Sequence, residues 1–340
     1  MKNKKIVTIG GGTGSFTLLS GLKNYQYDLT AIVTMADDGG STGKLRDELG
    51  VLPPGDVRQC LVALSDSSDK LRELMNYRFD NGDLKGHNFG NLFLSALEKI
   101  NGSFSDGIIE AIEILNVKGS VVPVSEDDMR LTIKLNDGRI IVGEKELDDN
   151  EQVRQTGIHE VRLSKTVRAN KRAVKAINDA DFIIIGPGDH YGSIVPNLLV
   201  SGIKNAIKKT KSKVIFVAPL TNKYGQTDNF TVADYVKNIE KLIGKNRVDF
   251  VVYNSKKPHK SMIAKYEKQE GKDSLVLCKY KDNKNHRIVE GDLLRKEKIK
   301  ATNGDALAHT RAFIRHDSDK LARAISLITE YSEYRSFNIS

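Results

Sequence analysis

Tryptophan is absent from this chain, cysteine occurs twice and proline only seven times. The two cysteines, Cys60 and Cys278, stand in unrelated surroundings, so neither a disulfide framework nor a zinc site can be built from their spacing. Long apolar runs are missing as well. The longest, such as Ile6 to Ile9 and Phe182 to Ile185, are strand-length and far short of the roughly 20 residues a membrane-spanning helix needs. The basic start Met1-Lys2-Asn3-Lys4-Lys5 is followed by an apolar stretch that stops at Gly10, too short for the core of a signal peptide. These absences lead us to expect a cytoplasmic protein without a membrane span.

What is present fits a folded α/β chain. Of the 340 residues, 39% are hydrophobic and 29% charged, and 28 are glycine, a composition with enough apolar mass for a core and many tight turns. The formal net charge of +9 suits an anionic ligand or partner. Its lysines fall in short runs (Lys208, Lys209, Lys211, Lys213; Lys256, Lys257, Lys260; Lys296, Lys298, Lys300) without interleaved aromatics. Such runs read as solvated faces rather than as a nucleic-acid surface.

Lys5 to Ile9 and Leu29 to Met35 read as buried strands around a helical pattern carried by Phe16, Leu18, Leu19 and Leu22, which makes a βαβ unit. Helices follow on the faces Val57, Cys60, Leu61, Leu64, then Leu71, Leu74, Met75, then Leu92, Phe93, Ala96, Leu97. From about residue 119 to 165 the pattern turns extended, with Leu131 to Leu135 and Arg139 to Val142 joined by Asn136-Asp137-Gly138, a hairpin signal. Strands resume at Phe182 to Ile185, Val214 to Ala218 and Val248 to Tyr253, alternating with helical stretches at Pro196 to Ile207, Val232 to Ile243 and Leu321 to Ile328. The expected fold is a Rossmann-like, doubly wound, mainly parallel sheet in one domain over residues 1–340, interrupted by a small β-hairpin-rich insertion.

Several loops carry chemistry. Gly10-Gly11-Gly12-Thr13-Gly14-Ser15 closes the first strand and opens the first helix, where backbone N–H groups and the helix dipole favour phosphate. It is not a dinucleotide fingerprint, because G-x-G-x-x-G begun at Gly10 needs glycine where Ser15 stands, and no P-loop lysine follows. Asp37-Asp38-Gly39-Gly40-Ser41-Thr42-Gly43 ends the second strand, where open sheets place their ligand crevice. Its carboxylates suit Mg²⁺ or sugar hydroxyls, and its hydroxyls suit phosphate. In Pro53-Pro54-Gly55-Asp56-Val57-Arg58, Asp56 is an N-cap or a catalytic or metal-binding carboxylate. Arg58 is a first-turn cation that opposes the dipole and so calls for an anion or a carboxylate. Gly86-His87-Asn88-Phe89-Gly90-Asn91 enters another helix, with His87 either a ligand contact or a structural hydrogen-bonder. Gly186-Pro187-Gly188-Asp189-His190-Tyr191-Gly192-Ser193 repeats the strand-glycine-helix arrangement of the first loop. Gln226-Thr227-Asp228 follows a further strand end, as the rim of the pocket or as a plain polar loop.

With these five glycine-containing loops in this order, the chain resembles the YvcK, or gluconeogenesis-factor, branch of the CofD-like family over essentially its whole length. The resemblance implies a Rossmann-like core and one of two activities. The YvcK branch binds UDP-sugars, notably UDP-N-acetylglucosamine, and is needed for cell shape and wall-precursor supply on gluconeogenic carbon. The CofD branch, of the 2-phospho-L-lactate transferase type, moves a phospholactyl-type group from a nucleotide-activated donor to a deazaflavin precursor beside a divalent metal. The family's ligand loops fall on Gly11, Gly12, Thr13, Asp37, Asp38, Ser41, Asp56, His87, Asn88 and Asn91, extended by Gly188 and Tyr191. Neighbouring Gly14, Thr42, Arg58 and Gly186 complete the candidate set. Where the family pattern leads us to expect Gly-Pro-Gly-Ser, this chain has Asp189, a carboxylate that repels a diphosphate unless a metal or a lysine screens it.

We therefore expect a UDP-sugar-binding regulator that acts through a partner protein, with glucosamine-6-phosphate synthase the partner implied by the resemblance. A CofD-type transferase is the alternative, with Asp38 and Asp56 as its catalytic pair and as ligands of Mg²⁺. A homo-oligomer is left open.

Overall fold

The computed structural model describes residues 3–279, 286–296 and 314–331, so Lys298 and Lys300 lie outside the described residues. The chain opens with β1 (Lys4–Gly10), in which Ile6, Val7 and Ile9 are all buried, as befits a central parallel strand covered on both faces. Next come α1 (Gly12–Leu22), which buries Leu18, Leu19 and Leu22, and β2 (Tyr27–Val33), which pairs in parallel with β1. A run of helices follows: α2 (Gly40–Leu49), α3 (Gly55–Leu64), α4 (Asp69–Asn76), α5 (Phe89–Asn101) and α6 (Phe104–Ile114). α3 buries Val57, Cys60, Leu61 and Leu64, the face their spacing requires.

α5 departs from expectation. Its buried stripe is Gly90, Asn91, Leu94 and Ser95 rather than the apolar face Leu92, Phe93, Ala96 and Leu97. That face is only partly covered. α6 approaches so closely that a Cβ on Gly107 would sit 3.0 Å from the carbonyl carbon of Leu97, while Ala96 and Ile100 remain exposed. The polar stripe is the buried one because Asn91 is tied to Arg58 of α3.

β3 (Ser120–Pro123) stands at the head of the extended region but joins the large sheet beside β2, in parallel. The segments β4 (Leu131–Leu135), β5 (Ile140–Val142), α7 (Glu146–Asp149), α8 (Glu151–Thr156) and β6 (Ile158–Leu163) form the interruption. Its strands make an antiparallel three-stranded sheet in the order β5-β4-β6. The hairpin turn uses Gly138 at φ 90°, a conformation that the glycine of the Asn-Asp-Gly turn supplies without strain.

The main alternation then resumes with α9 (Lys171–Asp179), β7 (Phe182–Ile185), a π-helical turn at His190–Ile194, α10 (Val195–Leu199) and α11 (Ser201–Lys209). The helical stretch expected over Pro196 to Ile207 is thus two helices, broken where Val200 takes extended backbone. Last come β8 (Lys213–Val217), α12 (Val232–Ile243), β9 (Phe250–Asn254), α13 (Lys260–Glu270), β10 (Arg287–Gly291) and α14 (Ser318–Tyr331).

The seven-stranded sheet runs β10-β9-β8-β7-β1-β2-β3, and every pairing in it is parallel. This is the doubly wound order: strands proceed one way from β1 to β3 and the other way from β7 to β10. The reversal falls between β1 and β7. The Gly10–Ser15 and Gly186–Ser193 loops therefore leave neighbouring strand ends on either side of the crevice that a switch point creates.

Candidate functional site

The first wall of the crevice is the start of α1. Gly11 occupies the N-cap position with no side-chain cap, and Gly12 follows at φ 59°, in the left-handed region that favours glycine. The first N–H groups of a helix have no partner within it. Here Gly12 N–H donates to the Asp56 carboxyl. A Cβ on Gly14 would lie 2.1 Å from the carbonyl oxygen of Pro187, so the two glycine loops touch backbone to backbone. Asn197 ties them further, its Nδ2 donating to the carbonyls of Gly10 at 3.2 Å and Ser193 at 2.7 Å. Gly186, at φ 79°, sits below the contact against Val217.

On one side of Gly11 and Gly12 lies an acidic layer. Asp56 is 9% exposed, and its carboxyl meets Gly11 so closely that a Cβ there would be 2.1 Å away. Burial, and then the charge of Asp37, push the Asp56 pKa up to about 7. Asp37 accepts from Gly39 N–H at 2.9 Å and from Thr42, and burial raises its pKa as well. Glu144, at the end of the small sheet, is a third member that sequence alone did not suggest. Burial first, and then the charges of Asp37 and Asp189, lift it well above the ordinary carboxylate range. Asp38 is engaged elsewhere, accepting from Lys145 N–H of the interruption at 2.8 Å. The carboxyl whose charge raises the Asp56 pKa is Asp37, whereas the sequence pointed to Asp38.

The remaining loop residues brace this layer. Ser41 Oγ lies 3.3 Å from His87 Nδ1, and Asn88 caps α5 by accepting from Asn91 N–H at 3.2 Å. Arg58 has the Asp56 carboxyl to answer the helix dipole, since its charge acts to lower that group's pKa. Its Nε donates to Asn91 Oδ1 at 2.9 Å, and its Nη1 donates to Asn76 Oδ1 at 2.5 Å and to the Met75 carbonyl at 3.4 Å. Neutral oxygens take these hydrogen bonds, and α3, α4 and α5 are joined through Arg58. Tyr191 is buried beside His190, with ring centroids 4.8 Å apart.

On the other side of the glycine loops is a cavity of about 300 Å³. Of the candidate residues, Gly11, Thr13, Gly14 and Gly188 line it, and Gln226 and Thr227 form part of its rim. Asp37, Asp56 and Glu144 do not line it. Its far wall holds residues that sequence reasoning missed: Lys223, Tyr235, Tyr266, Arg315 and His316. Tyr235 donates its hydroxyl to Asn222 Oδ1 at 2.7 Å, and Tyr266 accepts from Thr221 Oγ1 at 2.8 Å, so both rings are held in place. His316 is buried and neutral, its pKa held down to about 4 by burial. The strand-end rule that singled out Gln226 covers Thr221 and Lys223 equally. No local signal marks Tyr266 or Arg315, which arrive from distant segments.

Asp189 does sit beside the glycine loop, and the screen it requires is present. Lys223 pairs with it, and Lys223 Nζ also lies 2.8 and 2.9 Å from the two Asp148 oxygens. Burial alone would raise the Asp189 pKa. The Lys223 charge and hydrogen bond, together with the Gly192 N–H, hold it below the ordinary value instead.

Fold and crevice together define the class: a doubly wound, Rossmann-like α/β protein whose candidate site lies at the switch point of its parallel sheet. The chain belongs to the CofD family, whose model, described as 2-phospho-L-lactate transferase CofD, matches residues 6–300. It is 44% identical to a putative gluconeogenesis factor of Thermotoga maritima over 96% of this chain and 100% of that one. The gluconeogenesis factor of Bacillus subtilis is 36% identical over 94% of this chain and 96% of its own. A crystal structure of a UPF0052 family member from Bacillus halodurans superposes with a TM-score of 0.85 at 35% identity, covering 96% of this chain and 99% of that one. Among the described residues, no helix is long and apolar enough to cross a membrane.

Proposed function

We propose that this protein is a gluconeogenesis factor that works by holding a nucleotide sugar, UDP-N-acetylglucosamine being the first candidate, and acts through a partner protein rather than through turnover. The names of its relatives support the physiological role. The observation that carries the ligand is the cavity at the start of α1, which sets Gly11, Thr13 and Gly14 on one wall against Arg315 on the other. A diphosphate suits such a pair of walls, since dipole and guanidinium both favour anionic oxygens. The rings of Tyr235 and Tyr266 then offer flat apolar surface with fixed hydroxyls to the base or the sugar.

Calorimetric titration with UDP-N-acetylglucosamine, GDP and NAD tests this reading. Arg315→Ala and Tyr266→Ala should each weaken binding of the UDP-sugar by roughly tenfold or more, about 1.4 kcal/mol for each factor of ten. Tight binding of GDP or NAD with none of the UDP-sugar refutes the choice of ligand. A pull-down of glucosamine-6-phosphate synthase with and without the UDP-sugar tests the partner. Support for a role in cell shape and wall-precursor supply would come from a morphological defect of a deletion strain on gluconeogenic carbon.

The acidic layer favours a second reading, a CofD-type transferase. Mg²⁺ ordinarily takes one or two carboxylates and completes its shell with waters and substrate phosphate oxygens. Asp37 and Asp56 fit that role, because burial disfavours the charged form of both, the charge of Asp37 raises Asp56 further, and a dication offsets both effects. Among the described residues no group of three or more acidic, histidine or cysteine side chains is arranged to hold a metal, so a phosphate would have to complete the shell. The ion would neutralise charge on the departing phosphate. Formation of a deazaflavin phosphodiester, abolished in Asp56→Asn, establishes this reading; no product from a protein that binds nucleotide refutes it.

A further inference from the structure

Asp189 places a carboxylate in a loop that the nucleotide reading assigns to an anion, and its surroundings make the position workable. Its Oδ1 accepts from Gly192 N–H at 2.8 Å, which fixes the side chain within the π-helical turn and keeps it from swinging away. Its other oxygen takes the ammonium of Lys223. Both residues line the cavity beside Gly11, Gly14 and Gly188. Their side chains are only 18% and 32% exposed, so solvent screens the pair far less than it does a surface ion pair.

Lys223 is itself held from behind. Asp148 of α7 receives its ammonium through both carboxylate oxygens, and Gln226 Nε2 donates to the same Asp148 at 2.8 Å and to the Leu147 carbonyl at 2.8 Å. The lysine thus stands at a fixed point between the small antiparallel sheet and the glycine loop.

We propose that Lys223 is a positioning residue for the ligand's phosphate: by neutralising Asp189 it allows the Gly186–Asp189 loop to accept an anion that the bare loop would repel. The inference rests on the nucleotide reading above. Without the ammonium, a fixed carboxylate faces the phosphate across roughly 6 to 12 Å at an effective dielectric of about 20, a repulsion equivalent to a roughly 10- to 100-fold loss of affinity. Removing the carboxylate instead leaves the ammonium to serve the phosphate directly.

The test is calorimetry on the full chain with UDP-N-acetylglucosamine, UDP and uridine, for the unaltered protein, Lys223→Met, Asp189→Asn and the double variant. Lys223→Met should lose roughly 10- to 100-fold for the two phosphorylated ligands and nothing for uridine. Asp189→Asn should bind UDP at least as tightly as the unaltered protein, and the double variant should return to within about threefold of it. A merely structural lysine cannot produce that rescue, so a defect that persists in the double variant overturns the inference. Should Lys223→Met fail to fold, the other two variants decide, since weakened UDP binding by Asp189→Asn is equally fatal. If the unaltered protein binds none of the three ligands, the nucleotide reading itself fails and this inference falls with it.

Discussion

Gly14→Ala separates a helix-forming role for this residue from a close-packing role, because the two predict opposite signs. Gly14 lies in the first turn of α1, and alanine in a helix is ordinarily worth up to about 1 kcal/mol over glycine. The added methyl carbon, however, would lie 2.1 Å from the Pro187 carbonyl oxygen, 2.5 Å from its carbon and 2.8 Å from Gly188 Cα. All three atoms belong to backbone, so no side chain can turn aside. Ordinary contact is restored only if α1 and the Gly186–Gly188 loop separate by about an ångström, and overpacking of that kind costs about 1–3 kcal/mol. Set against the helix gain, this leaves an expected net loss of about 1–2 kcal/mol and a fall in Tm of roughly 2–8 °C. The same separation spreads the walls of the cavity, so affinity for the UDP-sugar should fall by roughly tenfold or more. Thermal unfolding with and without ligand reads both effects, with Ser20→Ala on the same helix as a control expected within about 0.5 kcal/mol of the unaltered protein. A Gly14→Ala protein as stable as its parent would refute the close-packing argument.

Arg58→Met should cost about 2–4 kcal/mol in urea unfolding, because it strips the donor from the buried Asn91 amide oxygen and the Met75 carbonyl, and from the amide oxygen of Asn76. Arg58→Lys should recover only part of that, since a single ammonium cannot reproduce the guanidinium fork. His316 bears on acid stability, its pKa lying at about 4 against an ordinary 6.5. As pH falls from 6.5 towards 4 the unfolded imidazole takes a proton that the buried one refuses, so stability declines through that window by up to about 3 kcal/mol. His316→Leu should flatten the decline, leaving the share due to His190, which burial also lowers to about 4; an unchanged slope between pH 7.5 and 4.5 contradicts the assignment. Asp38→Ala removes the acceptor for Lys145 N–H, and that amide should exchange with solvent about tenfold faster while those of β1 stay protected.

The two halves of the crevice differ in how far they could be read from sequence, and the difference has a physical cause. The half made of Gly11, Gly12, Asp37 and Asp56 was legible because each loop directly follows a strand or opens a helix, and strand ends on one edge of a parallel sheet must converge. Its detailed pairing was not. Asp37 and Asp38 are adjacent in sequence, and only the return of the small sheet to the rim engages Asp38 with Lys145 N–H, while the charge that raises Asp56 is that of Asp37. The helix-dipole argument at Arg58 finds its carboxylate in Asp56, but it could not show that the hydrogen bonds of the guanidinium go to oxygens of α4 and α5.

The cavity's far wall was illegible for a different reason. Tyr235, Tyr266, Arg315 and Lys223 come from four segments that share no motif, and each looks like an ordinary surface or core residue in its own neighbourhood. Their meaning depends on the order of the sheet, which brings the loop after β8 and the start of α14 alongside β1. Asp189 shows where the two kinds of information meet. Its sequence alone raised the question of what screens the charge, and that question had only two physical answers, a metal or a cation. Lys223 is the cation, 34 residues further along the chain and across one strand of the sheet, where no spacing rule could have placed it.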